Sequence, residues 1–119
     1  MIVAGFGFRG AATVASLRDA LAQTGGQPQA LAAPHDKAGA DCLIQLAQSL
    51  FLPVLAIDPG ALQAAKTLTQ SPLVRARRST GSVAEAAALA GAGPGARLIG
   101  ARCISSDRLA TAALAKGGA

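Results

Sequence analysis

Apolar residues fall along this chain in short blocks whose spacing switches between continuous runs and a helical period. Ile2 to Phe8 is an apolar run of strand length and predicts a buried first strand. Thr13 is placed to cap a helix from Val14 to about Thr24, with Val14, Leu17 and Leu21 on one face and Gly25-Gly26 as its stop. Gln29 to Ala33 predicts a weaker second strand, followed by the polar turn Pro34-His35-Asp36-Lys37. A helix over about Ala40 to Leu50 would turn Leu43, Ile44, Ala47 and Leu50 inward. Val54 to Ile57 reads as a third strand, and Asp58-Pro59 supplies an N-cap and first helical residue for a helix to about Leu68.

The second half is more alanine-rich and less sharply periodic. Ser82 is a candidate N-cap and Glu85 completes an S-x-x-E capping box, predicting a helix from Val83 to Ala90 that stops in Gly91-Ala92-Gly93-Pro94-Gly95. Arg97 to Cys103 reads as a strand. Leu109 to Ala115 suits helix by composition, but its length after a turn favours a final edge strand paired with its predecessor. Strands alternating with helices imply an α/β fold: one three-layer α/β/α domain over residues 1–116 with a mixed, mostly parallel sheet, and a frayed tail at 117–119.

Charge adds a direction. The 119 residues carry a formal net charge of +5, with Trp and Tyr absent. Residues 1–59 have a net charge of −1, whereas residues 60–102 hold +5, with Glu85 their only acid. Arg75, Arg77 and Arg78 lead into Thr80-Gly81-Ser82 and the predicted helix start. Guanidinium groups pair two-pronged with carboxylates or phosphates, and the free N–H groups of a helix start favour an anion. The stretch therefore reads as a polyanion receptor. Nucleic acid fits poorly, because there is no aromatic stacking platform and no recognisable nucleic-acid-binding motif. The longest apolar run, Leu50 to Ile57, contains Pro53 and is too short for a bilayer. With no signal-peptide pattern at the start, a cytoplasmic protein is expected.

Other motifs are weaker. Gly5-Phe6-Gly7-Phe8-Arg9-Gly10 is a literal G-x-G-x-x-G, but Phe6, Phe8 and Arg9 are bulky for a pyrophosphate cradle, and Ala32-Ala33 stand where a ribose-binding acid belongs. A turn presenting Arg9 at the carboxyl edge of the sheet fits better. His35 and Asp36 form the one candidate acid/base pair, beside Lys37, although a solvated turn with Asp36 capping the next helix is the favoured reading. Cys42 and Cys103 lack metal or disulfide spacing and are expected as buried structural thiols; no metal or cofactor is called for.

Several segments together resemble the CobE / CbiG C-terminal domain family of cobalamin biosynthesis. They are Gly7-Phe8-Arg9-Gly10 with Thr13, then His35-Asp36-Lys37-Ala38 with Leu43 and Leu46-Ala47, then Leu52-Pro53-Val54 and Ser71-Pro72-Leu73-Val74. Gly81-Ser82-Val83-Ala84-Glu85-Ala86-Ala87-Ala88-Leu89 is the most specific, and Thr111-Ala112-Ala113-Leu114-Ala115 closes the set. The resemblance implies a role in corrin-ring construction, with a precorrin or corrinoid intermediate and other corrin-pathway enzymes as the partners to expect. A precorrin is ringed by carboxylates, for which Arg9, Lys37, Arg75, Arg77, Arg78 and Arg102 are the matching side chains, with Phe8 or small apolar residues against the macrocycle. CobE-type proteins imply an accessory or carrier module. CbiG-type proteins, which open the lactone of cobalt-precorrin-5A, imply instead a hydrolase or C–C lyase with His35 or Asp36 as acid/base.

Overall fold

The structure, a computed structural model, describes residues 1–69 and 80–117. Its elements are β1 (Ile2–Phe8), α1 (Val14–Thr24), β2 (Ala30–Pro34), α2 (Asp41–Leu50), β3 (Val54–Ile57), α3 (Pro59–Thr69), α4 (Thr80–Ala92), β4 (Arg97–Ile104) and β5 (Ala110–Lys116). The sheet order is β3-β2-β1-β5-β4. β1, β2 and β3 are parallel, and β5 runs antiparallel to both β1 and β4. Four of the five strands therefore point one way, making the sheet mixed and mostly parallel.

The local signals explain most boundaries. Thr13 and Ser16 form a reciprocal capping box: the Ser16 N–H donates to Thr13 Oγ1 (3.3 Å) and the Thr13 N–H to Ser16 Oγ (3.1 Å). Gly25 closes α1 at φ 72°. Asp58 Oδ1 accepts from the Ala61 N–H at 2.7 Å and caps α3. α2 is different: Ala40 is its N-cap and offers no side-chain bond, so Asp36 does not cap it, lying four residues too early. Its inner face is Leu43, Leu46 and Ala47, while Leu50 is exposed. Phe51 ends α2 in the left-handed region at φ 57° with 93% of its surface in solvent.

Two cores flank the sheet. Phe6, Leu31 and Leu114 pack against Leu17 and Leu21 of α1 and Leu43 and Leu46 of α2. On the other face, Val3, Ala30, Ala32 and Ala115 meet the alanines of α4 and Leu62 of α3. Burying a Leu or Phe fully contributes about 1.5–3 kcal/mol, so the first face supplies most of the stabilisation. The second depends on close approach. A Cβ on Gly5 would overlap the carbonyl oxygen of Ala84 and the nitrogen of Ala88, and would lie 2.9 Å from Ala88 Cβ. Gly5, read as the start of a dinucleotide motif, is thus a strand-interior contact with α4.

Three expectations change. β5 pairs with its predecessor but is not an edge strand: it lies between β1 and β4, with Ala110 to Ala115 buried throughout. α4 covers Thr80–Ala92, so Ser82 lies within the helix rather than at the N-cap position that the expected capping box requires. Cys42 and Cys103 are only partly buried and form no disulfide. At the tail, the Gly117 N–H donates to the Met1 carbonyl at 2.9 Å.

Candidate functional site

The parallel strands deliver the candidate side chains to one edge. Gly5 pairs with Ala32, and that register puts Gly7 level with Pro34, so Arg9 and His35-Asp36-Lys37 leave the sheet together at its carboxyl end. Pro34 likewise pairs with Ile57, which brings Asp58 to the same edge. The Arg9 N–H donates to the Leu109 carbonyl at 2.9 Å, tying this turn to the β4–β5 hairpin. α4 runs antiparallel to β1, since Gly5 lies against Ala84 and Ala88 while Gly91 lies against Val3. Its first turn, formed by Thr80, Gly81 and Ser82, therefore points toward that edge. Arg75, Arg77 and Arg78 lie outside the described residues.

The cations here are available in different degrees. Arg9 is exposed. Lys37 is half-buried, its Nζ 5.6 Å from the centroid of the Phe8 ring. That is near the outer limit of a cation–π contact, worth about 0.5–1 kcal/mol at such a site. Phe8 is only 7% exposed and packs into the α1–α2 core, so it is not a free platform for a macrocycle. Arg102 is engaged: its Nη1 lies 3.8 Å from Glu85 Oε1, the one ion pair among the described residues. Glu85, expected as a cap, is the counter-ion of Arg102.

His35 and Asp36 are exposed neighbours in a turn held through the backbone, with the His35 N–H donating to the Ile57 carbonyl at 2.8 Å. Among the described residues no hydrogen bond or ion pair holds either side chain in a catalytic geometry, and no group of three His, Cys, Asp or Glu forms a metal-ligating cluster. No helix among them is long and apolar enough to cross a membrane. A cleft of about 720 Å³ between α3 and the end of α4 is lined by Ala61, Ala65, Leu89, Gly93 and Pro94, with no charged side chain among the described residues that line it.

A carboxylate network that sequence reasoning missed braces this edge. Asp107 accepts from the hydroxyls of Ser105 and Ser16, each at 2.5 Å, and from the Leu109 N–H at 3.0 Å. Asp19 of α1 accepts from the Ser106 N–H at 2.6 Å. The helix cap and the hairpin thus share one anchor, and Leu109, within it, holds the backbone of Arg9. Its partners stand 91 residues apart, so no local motif announces it. The Ser105 and Ser16 hydroxyls hold the Asp107 carboxyl below its ordinary range, and the Ser106 N–H does the same for Asp19. A lowered folded-state pKa stabilises the fold above the unfolded value and loses that contribution as pH falls through the folded value. The melting temperature should accordingly drop below about pH 4. Asp107→Asn should lower it at neutral pH and flatten the acid limb of a thermal-melt series; an unchanged acid limb would remove Asp107 as its cause.

The family described as cobalamin synthesis G C-terminus matches residues 2–115. Among solved structures, the cobalamin biosynthesis protein chiG from Agrobacterium tumefaciens str. C58 is 33% identical, superposes with a TM-score of 0.76 and aligns over 100% of both chains. CobE, described as a protein from the cobalamin (vitamin B12) biosynthetic pathway, is 38% identical with a TM-score of 0.73, over 97% of this chain and 89% of that one. A cobalamin biosynthesis protein G homolog from Sulfolobus solfataricus shares the fold at 18% identity and a TM-score of 0.70, over 96% of this chain and 36% of that one. No curated protein matched.

Proposed function

Because the chain belongs to the cobalamin synthesis G C-terminus family, and is a cobalamin biosynthesis protein similar to CobE, we propose that it binds a polycarboxylate precorrin intermediate at the carboxyl edge of its sheet, as an accessory or carrier module. One observation carries this reading. Arg9 and Lys37 flank the last residue of β1, and neither has a carboxylate within ion-pair distance among the described residues. Unpaired cations at a ligand-binding edge of an α/β sheet suit a ring of acetate and propionate groups. The first turn of α4, the positive end of that helix dipole, is directed toward this edge and adds to the same field.

The test is an absorbance titration with hydrogenobyrinic acid and with early precorrins, at low and at high salt. Saturable binding that weakens with salt, with the pigment recovered unchanged, is the expected result. Conversion of a lactone-bearing precorrin would replace the carrier reading with the hydrolase or lyase one and return attention to His35 and Asp36. No binding even at low salt would reject the site.

A further inference from the structure

Arg102 and Glu85 meet across the joint between β4 and α4, and their contact is poorly made. Nη1 to Oε1 is 3.8 Å, inside ion-pair range but too long for a hydrogen bond. Glu85 Oε1 is buried and accepts no hydrogen bond. The carboxylate has lost water on that oxygen without gaining a donor, an arrangement that costs stability.

The backbone explains why the contact stays loose and why it can be released. Ile99 pairs with Leu114 and Cys103 with Ala112, so Gly100, Ala101 and Arg102 stand opposite Ala113 alone. Gly100 makes the bend at φ 72°. Bulges on edge strands re-aim side chains without disturbing the rest of a ladder. Arg102 sits on this bulge with 18% of its side chain exposed, near the end of β4. The hairpin that follows is the one bonded to the Arg9 backbone. Arg102 therefore stands two residues short of the proposed anion edge, and turning its side chain breaks the 3.8 Å contact together with the packing of a side chain that is 18% exposed. The space it leaves would admit water to Oε1, supplying the donor that oxygen lacks.

We propose that Glu85 is an internal stand-in for a ligand carboxylate, holding Arg102 in reserve until a polyanion bound at the carboxyl edge takes it over. This rests on the carboxylate-binding reading above and adds a latch to it. Glu85 competes with the ligand, so neutralising it strengthens binding, and the gain requires Arg102.

The experiment is a titration of the folded chain with hydrogenobyrinic acid at low salt, comparing wild type, Glu85→Gln, Arg102→Ala and the double variant. Folding is checked by circular dichroism, and Arg102→Lys serves as a second variant that keeps the charge. Glu85→Gln should bind about threefold to tenfold more tightly, a gain of the size that one partly exposed charge pair produces. In the Arg102→Ala background the same substitution should change nothing. An equal gain in both backgrounds would reduce the effect to net charge and overturn the latch. So would wild type and Glu85→Gln binding alike, which leaves the anion site standing. Absence of binding by wild type and Glu85→Gln together would overturn both the latch and the site.

Discussion

Gly5→Ala should destabilise the fold by about 3 kcal/mol, the upper part of the range for overpacking a close-packed core. In a chain of this length that corresponds to a fall of about 10 °C in melting temperature. The added methyl group would meet backbone, the Ala84 carbonyl and the Ala88 nitrogen, and neither can turn aside as a side-chain terminus would. Relief requires α4 to move off β1. That movement would open the alanine interface formed by Ala86, Ala87 and Ala88, all 0% exposed. Thermal denaturation checks this directly, and a shift below about 2 °C would mean that the helix can slide away at little cost. Since α4 also carries the Thr80–Ser82 turn to the carboxyl edge, any folded remnant of this variant should bind anions less well.

The largest effect on ligand binding should come from reversing both free cations, Arg9→Glu with Lys37→Glu. Each reversal exchanges an attraction for a repulsion. For exposed groups this is worth about 1.4 kcal/mol per position, so the pair should weaken hydrogenobyrinic acid binding about a hundredfold at low salt. The loss should shrink as salt is raised, because exposed charges are screened over about 10 Å at 0.1 M. Folding should be nearly unaffected: Arg9 is bonded through its backbone, and the contact of Lys37 with Phe8 is a weak one. Affinity within threefold of wild type would move the binding site away from this edge.

The contrast between these two positions and Arg102 shows what a sequence can reveal. β1, α1 and β3 have the predicted boundaries because their signals are local: an apolar run, a Thr13 cap and glycine stop, a Leu-Pro step. Arg9 and Lys37 were legible for a similar reason, since a turn after a strand delivers its residues to the carboxyl edge of a parallel sheet. The role of Glu85 was not. An S-x-x-E pattern resembles a capping box wherever it occurs, and the residue that claims Glu85 stands on another element beyond a glycine-rich turn. The position of β5 was missed although a signal existed. Its segment Ala110 to Ala115 has one polar residue, Thr111, and so lacks the polar alternation of a strand with one face in water. The Asp107 anchor leaves no trace in local sequence, because serine and aspartate in a turn look alike whether or not a distant helix cap completes them.

The placement of β5 has a consequence for the order in which the molecule is made. β1, the middle strand, leaves the ribosome before the other four strands, and its seven-residue antiparallel partner follows about a hundred residues later. At ordinary translation speeds that interval is on the order of 5–20 s. Through it, one side of β1 presents unpaired backbone to the surroundings. β2 can pair meanwhile, but β4 cannot join the sheet, because its neighbour is the strand that comes after it. The nascent chain therefore passes through a half-sheet whose open side is its future centre, and closure waits for the last strand.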